Sequence, residues 1–314
     1  MAYSKMNSKS RKKNKPSVLV VTCDAGGAEV IAAYVKKHAH EKNFHSYVAG
    51  PAVRIFRRLE LPFHLIEDSR RVIARIVREH ANSQYVLCGL PGWMTSIELR
   101  ALKESKQIGL KTIAYVDSWA FYREAFGYPK REWQRNLPDE IWVGDRYALS
   151  LVQRDLKRRA RLIPNQYFAN IRERYRKRRR ALPPPDRILF LSSVPLRTNS
   201  VLSFLLSYLA HTGSRKQVRI RFHPADNRTR YDALIRRYRG KVRVEKSAEE
   251  DIANDLGGAA LVVGMETVAL AAAAQCGIRA VSILPRGGKK VLPFREIARM
   301  RLPATNNRFT KLIA

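Results

Sequence analysis

VVGMETVALAAAAQCGIRAVSILP, residues 262–285, decides the fold. An apolar strand runs into a tight Gly264-Met265-Glu266-Thr267 turn. An Ala-rich helix follows, Gly277 stops it, and a second apolar strand begins. Strand, helix and strand in so short a span make a parallel β-α-β unit. Such a unit exposes its binding edge where the first strand meets the helix. A glutamate and a threonine open this otherwise apolar helix, so they sit at that edge.

The same alternation extends outward in both directions. Upstream, SVLVVTC, HSYVAG, YVLCGL, KTIAYVDS and EIWVG read as strands. The segments between them read as helices. In SRRVIARIVREHA, Val72, Ile73, Ile76 and Val77 share one helical face and arginines the other. Pro51 sits in the first turn of PAVRIFRRL, and Gly109 stops IELRALKESKQIG. From residue 187 the pattern restarts with RILFLSS, QVRIRFH, KVRVE and ALVVG as strands. Between the halves, IPNQYFANIRERYRKRRRALPPPD combines a basic run with three prolines that cannot continue a helix. The expected organisation is therefore a basic arm over 1–16, an α/β domain over 17–165, a basic, Pro-rich hinge over 166–186, and a second α/β domain over 187–314.

A chain of 314 residues suits two domains by the prior of roughly 100–200 residues each. At 45% hydrophobic it has material for two cores. No apolar run approaches the roughly 18 residues of a membrane span. The basic start lacks the apolar stretch of a signal peptide, so a cytoplasmic setting is expected, with membrane association at the periphery. Cys23, Cys88 and Cys276 are far apart and read as reduced packing residues. No CxxC, HxH or HExxH spacing points to a metal.

The charge is the unusual quantity. Lys+Arg 60 against Asp+Glu 27 gives +33. Such a field favours a polyanionic partner: nucleic acid, an anionic membrane face or an acidic glycan. The densest stretch, 151–180, holds Arg154, Lys157, Arg158, Arg159, Arg176, Lys177, Arg178, Arg179 and Arg180.

Four loops lie at carboxyl ends of expected strands. Asp24-Ala25-Gly26-Gly27 lets a backbone approach a ligand closely, but its spacing fits neither GxGxxG nor a P-loop. Asp24 equally reads as a helix cap. Asp117 ends a strand beside Trp119, Phe121 and Tyr122, where partial desolvation raises a carboxylate toward a general base. The alternative there is a cap beside a core aromatic cluster. In Arg221-Phe222-His223-Pro224 the proline holds His223 extended, and the cationic pair suits a diphosphate. At Gly264-Met265-Glu266-Thr267 the helix start suits phosphate, while Glu266 suits a ribose or sugar hydroxyl. Ser192 and Ser193, in LSSVP, add hydroxyl donors.

Two doubly wound domains, a Gly-rich loop in the first, an HP dipeptide and a strand–Gly–polar–helix–Gly–strand stretch together resemble GT-B glycosyltransferases. RFHP resembles the HP motif of bacterial sialyl- and polysialyltransferases and glycerol-phosphate polymerases. GMETVALAAAAQCGIRAVSI resembles the nucleotide-sugar site of the wider superfamily, UDP-sugar epimerases included. Met265-Glu266-Thr267 departs from the serines usual there. The resemblance implies two Rossmann-like domains facing a cleft and sugar transfer from a nucleotide donor, with UDP-sugars foremost and neither cofactor nor metal. Ser192, Ser193, Arg221, His223, Gly264, Glu266 and Thr267 would hold the donor. Asp117 or Asp24 would deprotonate the acceptor hydroxyl. The charge favours hydroxylated bases in phage-type DNA as acceptor, with PGWMTS or Trp119 stacking on a flipped base. The alternative is an envelope glycan at the anionic membrane face. Further alternatives are a non-catalytic nucleic-acid-binding protein and an epimerase.

Overall fold

The computed structural model describes residues 15–90, 96–193, 198–223 and 226–313. Most of the basic arm, PGWMT of the PGWMTS loop, Val194 and Pro195 of LSSVP, and Pro224 lie outside the described residues.

The chain divides into two bodies. The first comprises the residues up to Asp117, Tyr122–Gly144 and Val152–Ile163. Its strands are β1 (Ser17–Thr22), β2 (Asn43–Val48), β3 (His64–Leu65), β4 (Tyr85–Gly89), β5 (Thr112–Val116), β6 (Glu140–Val143) and β7 (Ala160–Leu162). They form one parallel sheet in the order β3-β2-β1-β4-β5-β6-β7. Helices α1 (Ala25–His38), α2 (Pro51–Arg58), α3 (Arg70–Glu79) and α4 (Ile97–Gln107) connect its strands, and α5 (Tyr122–Ala125) follows β5. Val18 to Val21 in β1 are buried on both faces, as strands with helices on both sides must be. In α3, Ile73, Ile76 and Val77 face inward while Arg71, Arg75 and Arg78 are exposed.

The second body comprises Ser118–Phe121, Asp145–Leu151 and Pro164–Ala314. Its strands are β8 (Arg187–Leu191), β9 (Val218–Arg221), β10 (Val244–Lys246), β11 (Ala259–Gly264), β12 (Ala280–Leu284) and β13 (Ile297–Arg301). The parallel order β10-β9-β8-β11-β12-β13 repeats the winding of the first sheet. Helices α8 (Thr198–His211), α9 (Asp232–Arg237), α10 (Ile252–Gly257), α11 (Val268–Gln275) and α12 (Asn306–Ile313) complete it. A core of Phe190, Leu202, Leu205, Ile220, Val263, Val281 and Phe309 lies against the sheet. Helix α6 (Arg146–Leu156) follows β6.

The stretch expected as a hinge is ordered. Residues 166–180 form α7 (Gln166–Arg180), capped by the Asn165 side chain, which accepts from the Phe168 N–H at 3.2 Å. Only Phe168 and Ile171 of α7 are buried. The helix packs on α10 and α11 within the second body, and the last change of body falls between Ile163 and Pro164.

Candidate functional site

Each sheet reverses its winding once: between β1 and β4 in the first body, and between β8 and β11 in the second. Open parallel sheets bind ligands beyond the carboxyl ends of strands at such a point.

At the first reversal, α1 comes very close to β4. A methyl on Gly27 would stand 3.0 Å from the Gly89 Cα, and one on Gly89 would stand 3.1 Å from the Gly27 Cα. A methyl on Gly26 would overlap the Asp117 carboxylate and lie 3.6 Å from Asp24 Oδ2. These glycines therefore bring the start of α1 against two acids. Asp24 Oδ2 accepts the Gly26 N–H at 3.2 Å, capping α1.

A third acid lies beneath them. Glu98, in the first turn of α4, is completely buried. Its Oε1 accepts the N–H groups of Cys23 at 2.6 Å and Asp24 at 3.1 Å, fixing the end of β1. Asp117, just past β5, is half-buried. Burial, then the Asp24 charge and the Glu98 charge push its carboxyl up to about 7. Asp24 is engaged as a cap; Asp117 is the carboxylate poised near neutrality.

At the second reversal, Gly264 lets β11 lie close to β8. A methyl there would stand 3.0 Å from Leu191 Cβ and 3.1 Å from its carbonyl oxygen. Ser192 is buried, and its Oγ accepts the His223 N–H at 2.8 Å. The His223 side chain is exposed at this edge. The Ser193 carbonyl accepts from Thr198 Oγ1 at 2.8 Å and from Arg230 Nη2 at 3.5 Å. Asp226 accepts from the Tyr231 hydroxyl at 2.6 Å and pairs with Arg230 at 3.0 Å. Thr267 caps α11, accepting the Leu270 N–H at 3.3 Å.

Two of the anticipated ligand groups are occupied within the protein. Arg221 donates to the buried Asp255 at 2.7 Å and to the carbonyls of Glu249 and Glu250. Asp255 also faces Arg219 at 3.5 Å and accepts from Ser247 at 2.8 Å. The Glu266 side chain is 4% exposed. Its Oε2 accepts the N–H groups of Val291 at 3.0 Å and Leu292 at 2.6 Å, and its Oε1 accepts from Arg299 Nε at 3.2 Å. Arg299 in turn donates to the carbonyls of Leu292, Phe294 and Ile297. Glu266 thus holds the segment after β12 in place, an anchor rather than the sugar-hydroxyl acceptor expected of it.

Trp119 is 5% exposed, set edge-on to Phe294 at 4.9 Å and stacked on Phe168 at 6.1 Å. Its N–H donates to Asp145 at 2.9 Å. A side chain so enclosed offers no face to a flipped base. Of the basic positions, Arg154, Lys157, Arg158, Arg159, Arg176, Lys177, Arg178 and Arg180 are exposed, and Arg179 is half-buried against the Leu182 and Pro183 carbonyls. Cys23, Cys88 and Cys276 are not joined in disulfides. Among the described residues, no group of three or more His, Cys, Asp or Glu is placed to hold a metal ion, and no helix is long and apolar enough to cross a membrane.

No family model matches the sequence, and no curated protein matches it. Solved structures do. The chain is similar to MurG of Acinetobacter baumannii at 11% identity, with a TM-score of 0.62 over 95% of this chain and 91% of that one. It is similar to the UDP-GlcNAc 2-epimerase of Neisseria meningitidis bound to UDP-GlcNAc at 12% identity, with a TM-score of 0.66 over 95% and 91%. It is also similar to the E. coli heptosyltransferase WaaC with ADP-2-deoxy-2-fluoro heptose at 14% identity, with a TM-score of 0.51 over 95% and 98%. The chain has the GT-B fold shared by these glycosyltransferases and epimerases.

Proposed function

We propose that the protein is a nucleotide-sugar-dependent glycosyltransferase acting on a polyanionic acceptor. The carrying observation is Asp117: a half-buried carboxylate at a strand end, its proton affinity raised to about 7 by burial and Asp24. In the proposed step, Asp117 takes the proton of an acceptor hydroxyl as the oxygen attacks the anomeric carbon. The bond from that carbon to the diphosphate oxygen breaks, and the departing nucleoside diphosphate keeps the electron pair. The edge carrying His223, Ser192 and Ser193, with the start of α11 beyond Gly264, holds the diphosphate through N–H and hydroxyl donors. The donor we propose is a UDP-sugar, and no metal ion enters the step. That solved proteins of this fold carry UDP-GlcNAc and an ADP-heptose analogue supports a nucleotide-sugar donor.

Two acceptors match the +33 charge. Hydroxylated DNA bases are one; a lipid-linked or envelope glycan at an anionic membrane face is the other. Burial of Trp119 removes one platform for a flipped base. The deciding experiment follows UDP release from a panel of UDP-sugars. Its acceptors are DNA containing 5-hydroxymethyl pyrimidines and a polyprenyl phosphate glycan in anionic vesicles. Release stimulated by either acceptor supports transfer and names the acceptor. Conversion of the sugar with UDP still attached makes the protein an epimerase instead. Absence of both turnover and UDP binding would overturn the proposal.

A further inference from the structure

A pocket of about 550 Å³ opens in the second body beyond the carboxyl ends of β12 and β13. Small-molecule sites span about 300–1,000 Å³ and are mostly apolar with a few polar groups. The walls here are Phe204 from α8, Pro285 after β12, and Leu302, Pro303 and Ala304 after β13. Ser200 and Arg286 complete the lining, and no lining residue is acidic.

The segment at its mouth is basic and built. Pro285-Arg286-Gly287-Gly288-Lys289-Lys290 carries three cations, all exposed. Gly287 takes φ +79°, and the Gly288 N–H donates to the Pro285 carbonyl at 2.9 Å, closing a turn. A methyl on Gly288 would stand 3.0 Å from that carbonyl oxygen, a tight contact. Arg301 donates to the Gly288 carbonyl at 2.8 Å. Glu266 accepts from Val291 and Leu292 directly after Lys290. The buried glutamate therefore fixes a cationic loop beside an apolar pocket. Such a pair matches a ligand with a hydrocarbon end and an anionic end.

We infer that this pocket takes the hydrocarbon end of a membrane lipid whose phosphate headgroup meets Arg286, Lys289 and Lys290. The inference deepens the acceptor side of the transferase reading, placing the second body at an anionic lipid surface. Lipid binding itself needs no nucleotide sugar, so it can fail or succeed independently of that reading.

The test uses the full chain without nucleotide. Vesicles of phosphatidylcholine with phosphatidylglycerol are compared with phosphatidylcholine alone, and octyl phosphate with inorganic phosphate. Wild type should bind the anionic vesicles and prefer octyl phosphate. The double change Lys289→Gln/Lys290→Gln should weaken vesicle binding about 30-fold, since each basic residue at such a surface contributes roughly a factor of five. The control Lys37→Gln/Lys103→Gln removes the same charge from exposed positions of the first body and should change binding by less than about 3-fold. Ala304→Trp and, at an exposed position on α8, Ser200→Phe each fill the pocket and should erase the preference for octyl phosphate while thermal unfolding stays cooperative. Equal losses from both lysine pairs would overturn the inference. So would octyl phosphate binding retained in both filled variants, or tighter binding of duplex DNA than of anionic vesicles through Lys289 and Lys290. UDP affinity, measured separately, reports on the transferase reading alone.

Discussion

The two winding reversals share a topology and differ in how they treat acids. At the first, Asp24 and Glu98 lie close enough for their charges to act on the Asp117 carboxyl. Burial, together with those charges, drives Asp117 up to about 7. At the second, Asp255 faces Arg219 and Arg221, and Glu266 faces Arg299. Those acids are neutralised inside the protein, and His223 stands exposed at the edge in front of the buried Ser192 and Ser193. One fold repeated within a chain thus gives an edge with a carboxyl raised toward neutrality and an edge whose acids are paired with arginines. The difference lies in which partners lie across the strand ends, not in the winding.

Breaking the first edge should have the largest effect. Asp117→Asn should lower transfer about 10²–10⁴-fold, the usual contribution of a general base, while UDP affinity is kept. The same change should stabilise the protein at alkaline pH. A carboxyl raised in the folded state above its unfolded value of about 3.9 contributes stability that is full below pH ~4. That contribution is lost as pH rises through about 7. Removing the charge should recover on the order of 2–4 kcal/mol at pH ~8, less whatever solvent reaches the group. Denaturant unfolding of both proteins across pH checks this. A parallel pH dependence for wild type and variant would show that Asp117 is not strained.

Breaking the second edge should act on stability and donor binding instead. Glu266→Ala leaves Arg299 largely buried without its carboxylate and frees two N–H groups, costing about 3 kcal/mol. Denaturant midpoints measure it. His223→Ala should weaken UDP binding about 10-fold with little change in stability, read by calorimetry. Thr267→Ala removes the α11 cap and should cost only about 1 kcal/mol.

The winding of both sheets was legible because strands buried on both faces leave unbroken apolar runs, Val18–Val21 and Leu261–Val263 among them. The edges were not. β3 is two exposed residues, His64 and Leu65, with no run to read. α7 buries only Phe168 and Ile171, so its basic surface masked a helix and read as part of a hinge. The place of Asp117 was readable because it ends an apolar strand. Glu98 was not: within IELRALKESKQ it resembles an ordinary first-turn acid, and its partners Cys23 and Asp24 lie more than seventy residues away. Asp255 was hidden for the same reason, paired with arginines from another strand. Glu266 looked free in the sequence because its partners, Val291, Leu292 and Arg299, come into reach only when the segment after β12 folds back. Local pattern reports which element a residue occupies. Whether its charge is spent depends on contacts distant in the chain.

Whether Asp117 takes the acceptor proton can be read from the pH dependence of kcat/KM for sugar transfer by wild type and Asp117→Asn, from about pH 5 to about pH 9. Wild-type activity should rise with pH and level off near the value to which Asp117 is raised, about 7. The variant should be slow at every pH and bind UDP as wild type does. A wild-type profile without a limb in that range, or a variant that transfers at the wild-type rate, would show that Asp117 is not the base.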